Sequence, residues 1–244
     1  MPGISQDSIF IHCMSHHINP RDVFVIIPAY NENTVIRSVL EKLLPCKYTI
    51  VVVDDGSAQN LFPLINDMPV YSICHQVNLG QGAALQTGIE FALSKQALYV
   101  VTFDADGQHH PGDIENLLQP LMDSRADIVF GSRFMEGSVH NMPVKRKLLL
   151  QTARYINYFF TGLLLTDAHN GLRAMNRKAA LQIRIEENNM AHATEILAQV
   201  KKNRLHYTEV PVNIMYTGYS KGKGQTVWSG FRIFFDILLN KIFK

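Results

Sequence analysis

Two carboxylates separated by a single residue, Asp104 and Asp106, follow directly on an apolar run in this chain of 244 residues. In an extended or turn segment that spacing sets both groups on one side, where they suit a hard divalent cation such as Mg²⁺ or Mn²⁺. Such a cation keeps positions open for waters and phosphate oxygens. It would clamp a diphosphate and neutralise charge developing on a nucleotide leaving group. Gln108, two residues further on, could add an oxygen ligand or orient one. Two more polar clusters occupy the same kind of place: Tyr30, Asn31 and Glu32 after one apolar run, and Asp54 and Asp55 after another. Each cluster alone reads equally well as a turn former or helix cap. All three together point to one shared crevice.

The elements that must position these residues show in the apolar pattern. Runs at 23–27, 48–53, 70–73, 98–103 and 127–130 are short, several of them rich in β-branched residues without polar alternation. Strands buried on both faces of a parallel sheet read this way. Helical segments at 34–44, 80–94 and 112–122 lie between them, which predicts an α/β fold with right-handed crossovers and an open, mostly parallel sheet flanked by helices. In such a sheet ligands bind beyond the carboxyl ends of the strands, where the three clusters fall. Further along, an amphipathic stretch covers 145–165, a helix 193–202 and a last strand 205–212. A glycine-rich loop at 217–224 and a helix at 226–243 follow. The organisation expected is a poorly ordered extension at 1–21, a catalytic domain at 22–225 and a C-terminal amphipathic helix at 226–244.

Composition removes several classes. With a formal charge of +2 and 18% charged residues, no basic stripe interleaved with aromatics marks a nucleic-acid surface. Cys13, Cys46 and Cys74 are odd in number and far apart, so neither a metal knuckle nor a disulfide framework fits, and a reducing cytoplasm is expected. No signal peptide is evident. His12, Cys13, His16 and His17 read as a frayed polar terminus rather than a metal cluster. The glycine-bearing stretch 78–83 opens a helix and could present backbone N–H groups. It follows the third strand, however, and Leu85 stands where a dinucleotide fingerprint needs its third glycine. No P-loop is present. A nucleotidyltransferase would carry a lysine-bearing glycine loop after the first strand, where this chain has Tyr30, Asn31 and Glu32.

The stretches IPAYNE (27–32), VVDDGS (52–57), NLGQGAALQTG (78–88), DADGQH (104–109), GSRF (131–134) and DAHNGLRAM (167–175) occur in the order of family 2 glycosyltransferases. Over roughly residues 22–225 the chain resembles that family, in particular the branch of dolichyl-phosphate mannose synthases and polyprenyl-phosphate glycosyltransferases. The resemblance implies a GT-A fold and assigns roles by position. Pro28, Tyr30 and Glu32, with Val53 and Asp55, match the pocket for the nucleotide base and ribose. Asp104, Ala105, Asp106 and Gln108 match the motif for metal and diphosphate. Arg133 matches an arginine directed at the phosphates, where its planar fork would grip oxygens. Lys221, within YSKGKG, matches a lysine on a loop that closes over the donor. Arg173 and Glu195 match positions on the acceptor side.

The implied reaction is an inverting transfer from a UDP- or GDP-linked sugar to a polyprenyl phosphate. That acceptor is already anionic, so positioning and charge neutralisation replace a strong general base. Arg173 and the basic residues 145–147 are candidates to hold its phosphate. Many relatives add transmembrane helices, and this chain offers no such span: Gln151, Arg154 and Asn157 interrupt its best candidate. Trp228, Phe231, Phe235, Leu238 and Ile242 instead form an apolar stripe suited to a membrane interface, or to a core or subunit contact. A peripheral place on the inner membrane face is expected, with a homo-oligomer or a small membrane-protein partner as further possibilities. Two alternatives stand: transfer to a sugar hydroxyl during polysaccharide synthesis, with Glu195 as base, and a non-catalytic subunit that binds nucleotide sugars.

Overall fold

The computed structural model describes residues 18–138, 144–189 and 191–215. Lys221, the C-terminal helix, the N-terminal histidines and the side chains of residues 145–147 lie outside what is described. Seven strands form one sheet: β1 (Val23–Ala29), β2 (Thr49–Asp54), β3 (Tyr71–Cys74), β4 (Tyr99–Thr102), β5 (Ile128–Ser132), β6 (Arg173–Asn176) and β7 (Tyr207–Pro211). Their order is β3-β2-β1-β4-β6-β5-β7, parallel except for β6, which runs against both β4 and β5. The helices are α1 (Ile36–Leu43), α2 (Phe62–Ile65), α3 (Gln81–Ser94), α4 (Asp113–Met122), α5 (Val144–Thr161), α6 (Arg177–Gln182) and α7 (His192–Lys202).

Period-two alternation sends each strand's side chains into two separate cores. Val23, Val25 and Ile27 of β1 join Ile50, Val52 and Val101 in a cluster with α1 and α4. Their neighbours Phe24, Ile26, Val51, Val53 and Val100 join α3, α6 and α7 on the other face. Every residue of β1 is buried, as expected of a central parallel strand. In α1 the buried residues Ile36, Val39, Leu40 and Leu43 recur at helical spacing. Burying each such side chain contributes roughly 1.5–3 kcal/mol. Helix α5 stops short of the expected residue 165, because Gly162 takes φ +71° and its N–H closes on the Tyr158 carbonyl at 2.7 Å. Residues 19–22 form a short turn in which the Asn19 side chain accepts from the Arg21 N–H.

Strand β6 was absent from the expected elements. It has four residues, too few to show a period, and its partners Tyr99–Thr102 lie far back in the chain. Its direction matters for the site. Parallel β2, β1 and β4 bring their carboxyl ends to one edge, while β6 brings its amino end there, with Arg173 opposite Thr102 and Phe130.

Helix α3 lies so close to β1 that a Cβ on Gly88 would stand 2.2 Å from Ile26 Cγ2. Alanine would gain about 1 kcal/mol of helix propensity, but the β-branched Ile26 cannot yield its place cheaply. Gly88→Ala is expected to destabilise the fold by about 1–3 kcal/mol net, read in urea unfolding as a lower midpoint at unchanged slope.

Candidate active site

At the end of β4 the chain continues through Phe103, whose N–H donates to the Ile26 carbonyl at 2.9 Å, and then turns outward at Asp104. Asp104 Oδ1 accepts from the Gln81 side-chain amide at 3.2 Å, and Oδ2 lies 3.0 Å from His109 Nε2. A carboxylate only accepts, so His109 carries its proton on Nε2; its ring stands edge-on to Phe103. Asp106 Oδ1 accepts the Gln108 backbone N–H at 3.1 Å, and the Gln108 side-chain amide donates to Oδ2. Of the two roles open to Gln108, orienting Asp106 is the one seen. Gly107, at φ +74°, makes this tight return possible.

The two carboxylates respond oppositely to their surroundings. Burial raises Asp106, and the charge of Asp104 raises it further. Burial also pushes Asp104 up, but the His109 hydrogen bond and the charges of His109 and Arg173 outweigh it and hold this group below its ordinary value. The pair therefore carries negative charge that the protein leaves partly uncompensated. Two such carboxylates fit a Mg²⁺ or Mn²⁺ ion that takes its remaining oxygens from phosphate and water. Among the described residues no set of three His, Cys, Asp or Glu side chains forms a protein-only cage.

Arg173 enters from the start of β6. It is 2% exposed, and among the described residues its guanidinium makes no hydrogen bond or ion pair. Burial pulls it down to about 10 against the opposing pull of Asp104 and Asp167. The loop before it is pinned by Thr102 Oγ1, which donates to the Gly171 carbonyl at 2.6 Å. A Cβ at Gly171 would fall 2.2 Å from Asp104 Oδ2, so only glycine lets this loop lie against the carboxylate.

Arg133, expected to face phosphate, is held by Asp167. Its Nε and Nη2 donate to the two carboxylate oxygens at 2.6 and 2.7 Å, and its own N–H adds a third bond at 3.1 Å. The planar fork meets a carboxylate of this chain in the bidentate geometry it would have offered a ligand. Glu209 on β7 fixes the other side of this loop, accepting from the Thr166 N–H, the Thr166 hydroxyl and the Asp167 N–H.

The first two loops meet along the β1–β2 register, in which Pro28 faces Val53 and Ala29 faces Asp54. Tyr30 is 47% exposed at the mouth, and Glu32 is half-buried with its carbonyl starting α1. Asp54 follows the ordinary reading: its oxygens accept the Ser57 and Leu61 N–H groups. Asp55 accepts from the N–H groups of Leu79 and Gly80 and pairs with His75, which in turn contacts Thr87 Oγ1. The Gly82 N–H donates to the Asn188 carbonyl at 2.8 Å. The glycines of this stretch thus serve close packing rather than a phosphate cradle, since a Cβ on Gly80 or Gly82 would meet the carbonyls of Asn188 or Glu187 near 2 Å.

Among the described residues Glu195 makes no hydrogen bond to the loops after β1, β2 and β4; it bonds to the segment that passes over the start of α3. Its carboxylate accepts the Glu186 and Glu187 N–H groups and is raised chiefly by burial, so here it orders the approach to α7. His192, one turn earlier, escaped the sequence reading, as did His109, Gln81 and Asp167. Only the adjacency of His109 to the carboxylate motif offered a signal; the others meet the site through distant pairings. The last strand returns to the same loop, for His109 bridges Ile214 and the Met215 N–H donates to the Gln108 carbonyl at 3.0 Å.

The model of glycosyl transferase family 2 matches residues 24–184. An uncharacterized protein of Methanocaldococcus jannaschii is 37% identical across 93% of this chain and 96% of its own length. The UDP-N-acetylglucosamine–dolichyl-phosphate N-acetylglucosaminyltransferase of Methanococcus voltae is 35% identical across 91% of this chain and 97% of its own. Among solved structures, glucosyl-3-phosphoglycerate synthase of Mycobacterium tuberculosis, with Mn²⁺, UDP-glucose and phosphoglyceric acid, superposes with a TM-score of 0.67. That match covers 87% of this chain and 76% of the other at 18% identity, a likeness of fold.

Removing Asp167 leaves a guanidinium buried without its carboxylate. Asp167→Ala is expected to lower unfolding free energy by about 3–5 kcal/mol, measured by chemical denaturation, whereas the surface change Asp123→Ala should stay within about 0.5 kcal/mol.

Proposed function

The chain belongs to glycosyl transferase family 2, and we propose that it transfers a sugar from a nucleotide diphosphate to a polyprenyl phosphate. The observation that carries this reading is the meeting, at one sheet edge, of two buried carboxylates, of which Asp106 is raised by burial and by its neighbour's charge, and a buried arginine that makes no hydrogen bond or ion pair among the described residues. One side of that edge calls for a cation and the diphosphate it would hold; the other calls for an anion. Relatives at 35% and 28% identity, named as a dolichyl-phosphate N-acetylglucosaminyltransferase and a polyprenol monophosphomannose synthase, join the same two chemistries.

Asp104 and Asp106 would hold Mg²⁺ or Mn²⁺, which when bound supplies positive charge against the departing diphosphate. Gln108 keeps Asp106 turned inward, and His109 with Gln81 fixes Asp104. Arg173 draws the acceptor phosphate to the edge. An oxygen of that phosphate forms the new bond to the sugar C1 as the bond from C1 to the diphosphate breaks, the electron pair leaving with the nucleoside diphosphate. Because the attacking oxygen is anionic, no proton has to be removed. A hydroxyl acceptor would need a base, and Glu195 already accepts two backbone N–H groups.

We place the base and ribose between Tyr30, Glu32 and the Pro28–Val53 pair. Lys221, which lies outside the described residues, is assigned to the donor diphosphate on the family resemblance alone. A peripheral position on the cytoplasmic face of a membrane suits the acceptor. Tyr155, Tyr158 and Phe159 of α5 are 57%, 49% and 83% exposed, an apolar face fit for a lipid interface. Among the described residues no helix is long and apolar enough to cross a membrane.

Incubation with Mn²⁺, radiolabelled UDP- and GDP-sugars and polyprenyl phosphate, followed by solvent extraction, tests the reading. Label is expected in the organic phase, lost in excess chelator and reduced at least about a hundredfold by Asp106→Ala at unchanged Tm. Label confined to a water-soluble glycan, or full activity in chelator, would overturn it.

A further inference from the structure

His192 is a buried histidine whose ring makes one hydrogen bond among the described residues, through Nδ1. It opens α7 and is 3% exposed, its Cβ packed against Gly82 in the first turn of α3. Gln81, in that same turn, touches Asp104. Nδ1 lies 2.8 Å from the Asn189 carbonyl. A carbonyl can only accept, so Nδ1 bears the proton and the neutral ring presents a bare lone pair at Nε2. Burial, then the charge of Arg173, pulls this group down to about 4, so the ring is neutral throughout the physiological range. Among the described residues nothing donates to Nε2.

Although the residue is 3% exposed, Nε2 is not sealed in: its lone pair reaches solvent-accessible space, where a ligand can meet it. The partners open to a lone pair are a metal ion and an N–H or O–H group. A metal is disfavoured, since His192 forms no cluster with Asp104 and Asp106 able to hold one. Of the two substrates in the proposed reaction, a polyprenyl phosphate offers chiefly anionic oxygens and hydrocarbon, and as the nucleophile it presents an oxygen that accepts rather than donates. The sugar offers hydroxyls, and as the group next to the diphosphate it must lie beside Asp104 and Arg173, whose charges both act on this ring.

We infer that His192 Nε2 accepts a hydrogen bond from a hydroxyl of the donor's sugar ring and so sets which sugar is transferred. This rests on the proposed function above. It makes His192 a specificity-determining residue, binding the sugar without taking its proton.

Two variants separate this role from a purely structural one. His192→Asn keeps a donor where Nδ1 stands and so keeps the bond to Asn189, but loses the acceptor at Nε2. His192→Gln places an amide oxygen near Nε2 and sacrifices the Asn189 bond. Each is assayed with the preferred sugar nucleotide and with its monodeoxy analogues, with binding of the sugar nucleotide and of the bare nucleoside diphosphate followed by calorimetry. The asparagine variant is expected to lose roughly ten- to a hundredfold in kcat/KM with the parent sugar. With one deoxy analogue it should match wild type, and nucleoside diphosphate binding should be unchanged. The glutamine variant should recover most of the loss. A wild-type asparagine variant, or equal losses against every analogue, would overturn the inference while leaving the transferase reading intact. If wild type forms no glycolipid, the transferase reading fails first, and the calorimetric difference between sugar nucleotide and nucleoside diphosphate still decides whether His192 contacts a sugar.

Discussion

The backbone pairing of Thr102 with Arg173 is the constraint from which the rest of the site follows. Parallel strands alone would deliver only carboxyl ends to the ligand edge, and with them the acidic loops after β1, β2 and β4. Inserting β6 in the opposite sense between β4 and β5 delivers an amino end instead, and with it the cation. Arg173 has little freedom to turn away, because Phe130 flanks it on the second side. The preceding loop is held by the Thr102 hydroxyl and pressed against Asp104 at a position where only glycine fits. Opposite charges are thus brought to one edge through main-chain geometry, near enough for Asp104 and Arg173 to act on one another.

The second arginine shows how placement decides role. Arg133 follows β5 on the same edge, and its sequence context resembles that of a phosphate-binding arginine. Its Nε and Nη2 nonetheless close on Asp167 in a bidentate pair with both side chains largely out of water. Such a pair is costly to break once one partner is removed, and Glu209 braces the loop that carries Asp167. The result is a fixed pair near Arg173, whose own guanidinium feels the charge of Asp167 but makes no ion pair among the described residues. Asp55 plays a comparable part on the other flank. Its oxygens gather the Leu79 and Gly80 N–H groups and His75, bringing the start of α3 within reach of Asp104 through Gln81.

How much of this was legible in the sequence depended on how local the signal was. The buried runs of β1, β2 and β4 declare themselves because both faces are apolar, and the polar clusters that follow them mark the ligand edge without further information. The carboxylate pair at 104 and 106 is equally local. Strand β6 left no trace because four residues cannot display a period and its hydrogen-bond partners belong to other parts of the chain. Asp167, Gln81 and His192 are ordinary helix or loop residues until the sheet brings them to the edge. The glycines at 80 and 82 were visible, but the reason for them was not: the carbonyls of Glu187 and Asn188 pass directly over them.

Glu195 links this packing to the choice of chemistry. A carboxylate serving as general base for a neutral hydroxyl needs an oxygen free to receive the proton and a path to the attacking atom. Both of its oxygens are instead engaged by the backbone at Glu186 and Glu187, in the segment that passes over the start of α3. Pulling it away would loosen the very contacts that place Gln81 against Asp104. An acceptor that arrives already charged makes no such demand, and every group at the edge can then remain fixed through the reaction. The absence of slack at Asp104, Asp106 and Gly171 is therefore what a site built for electrostatic positioning requires, and a phosphate nucleophile is the acceptor that tolerates it.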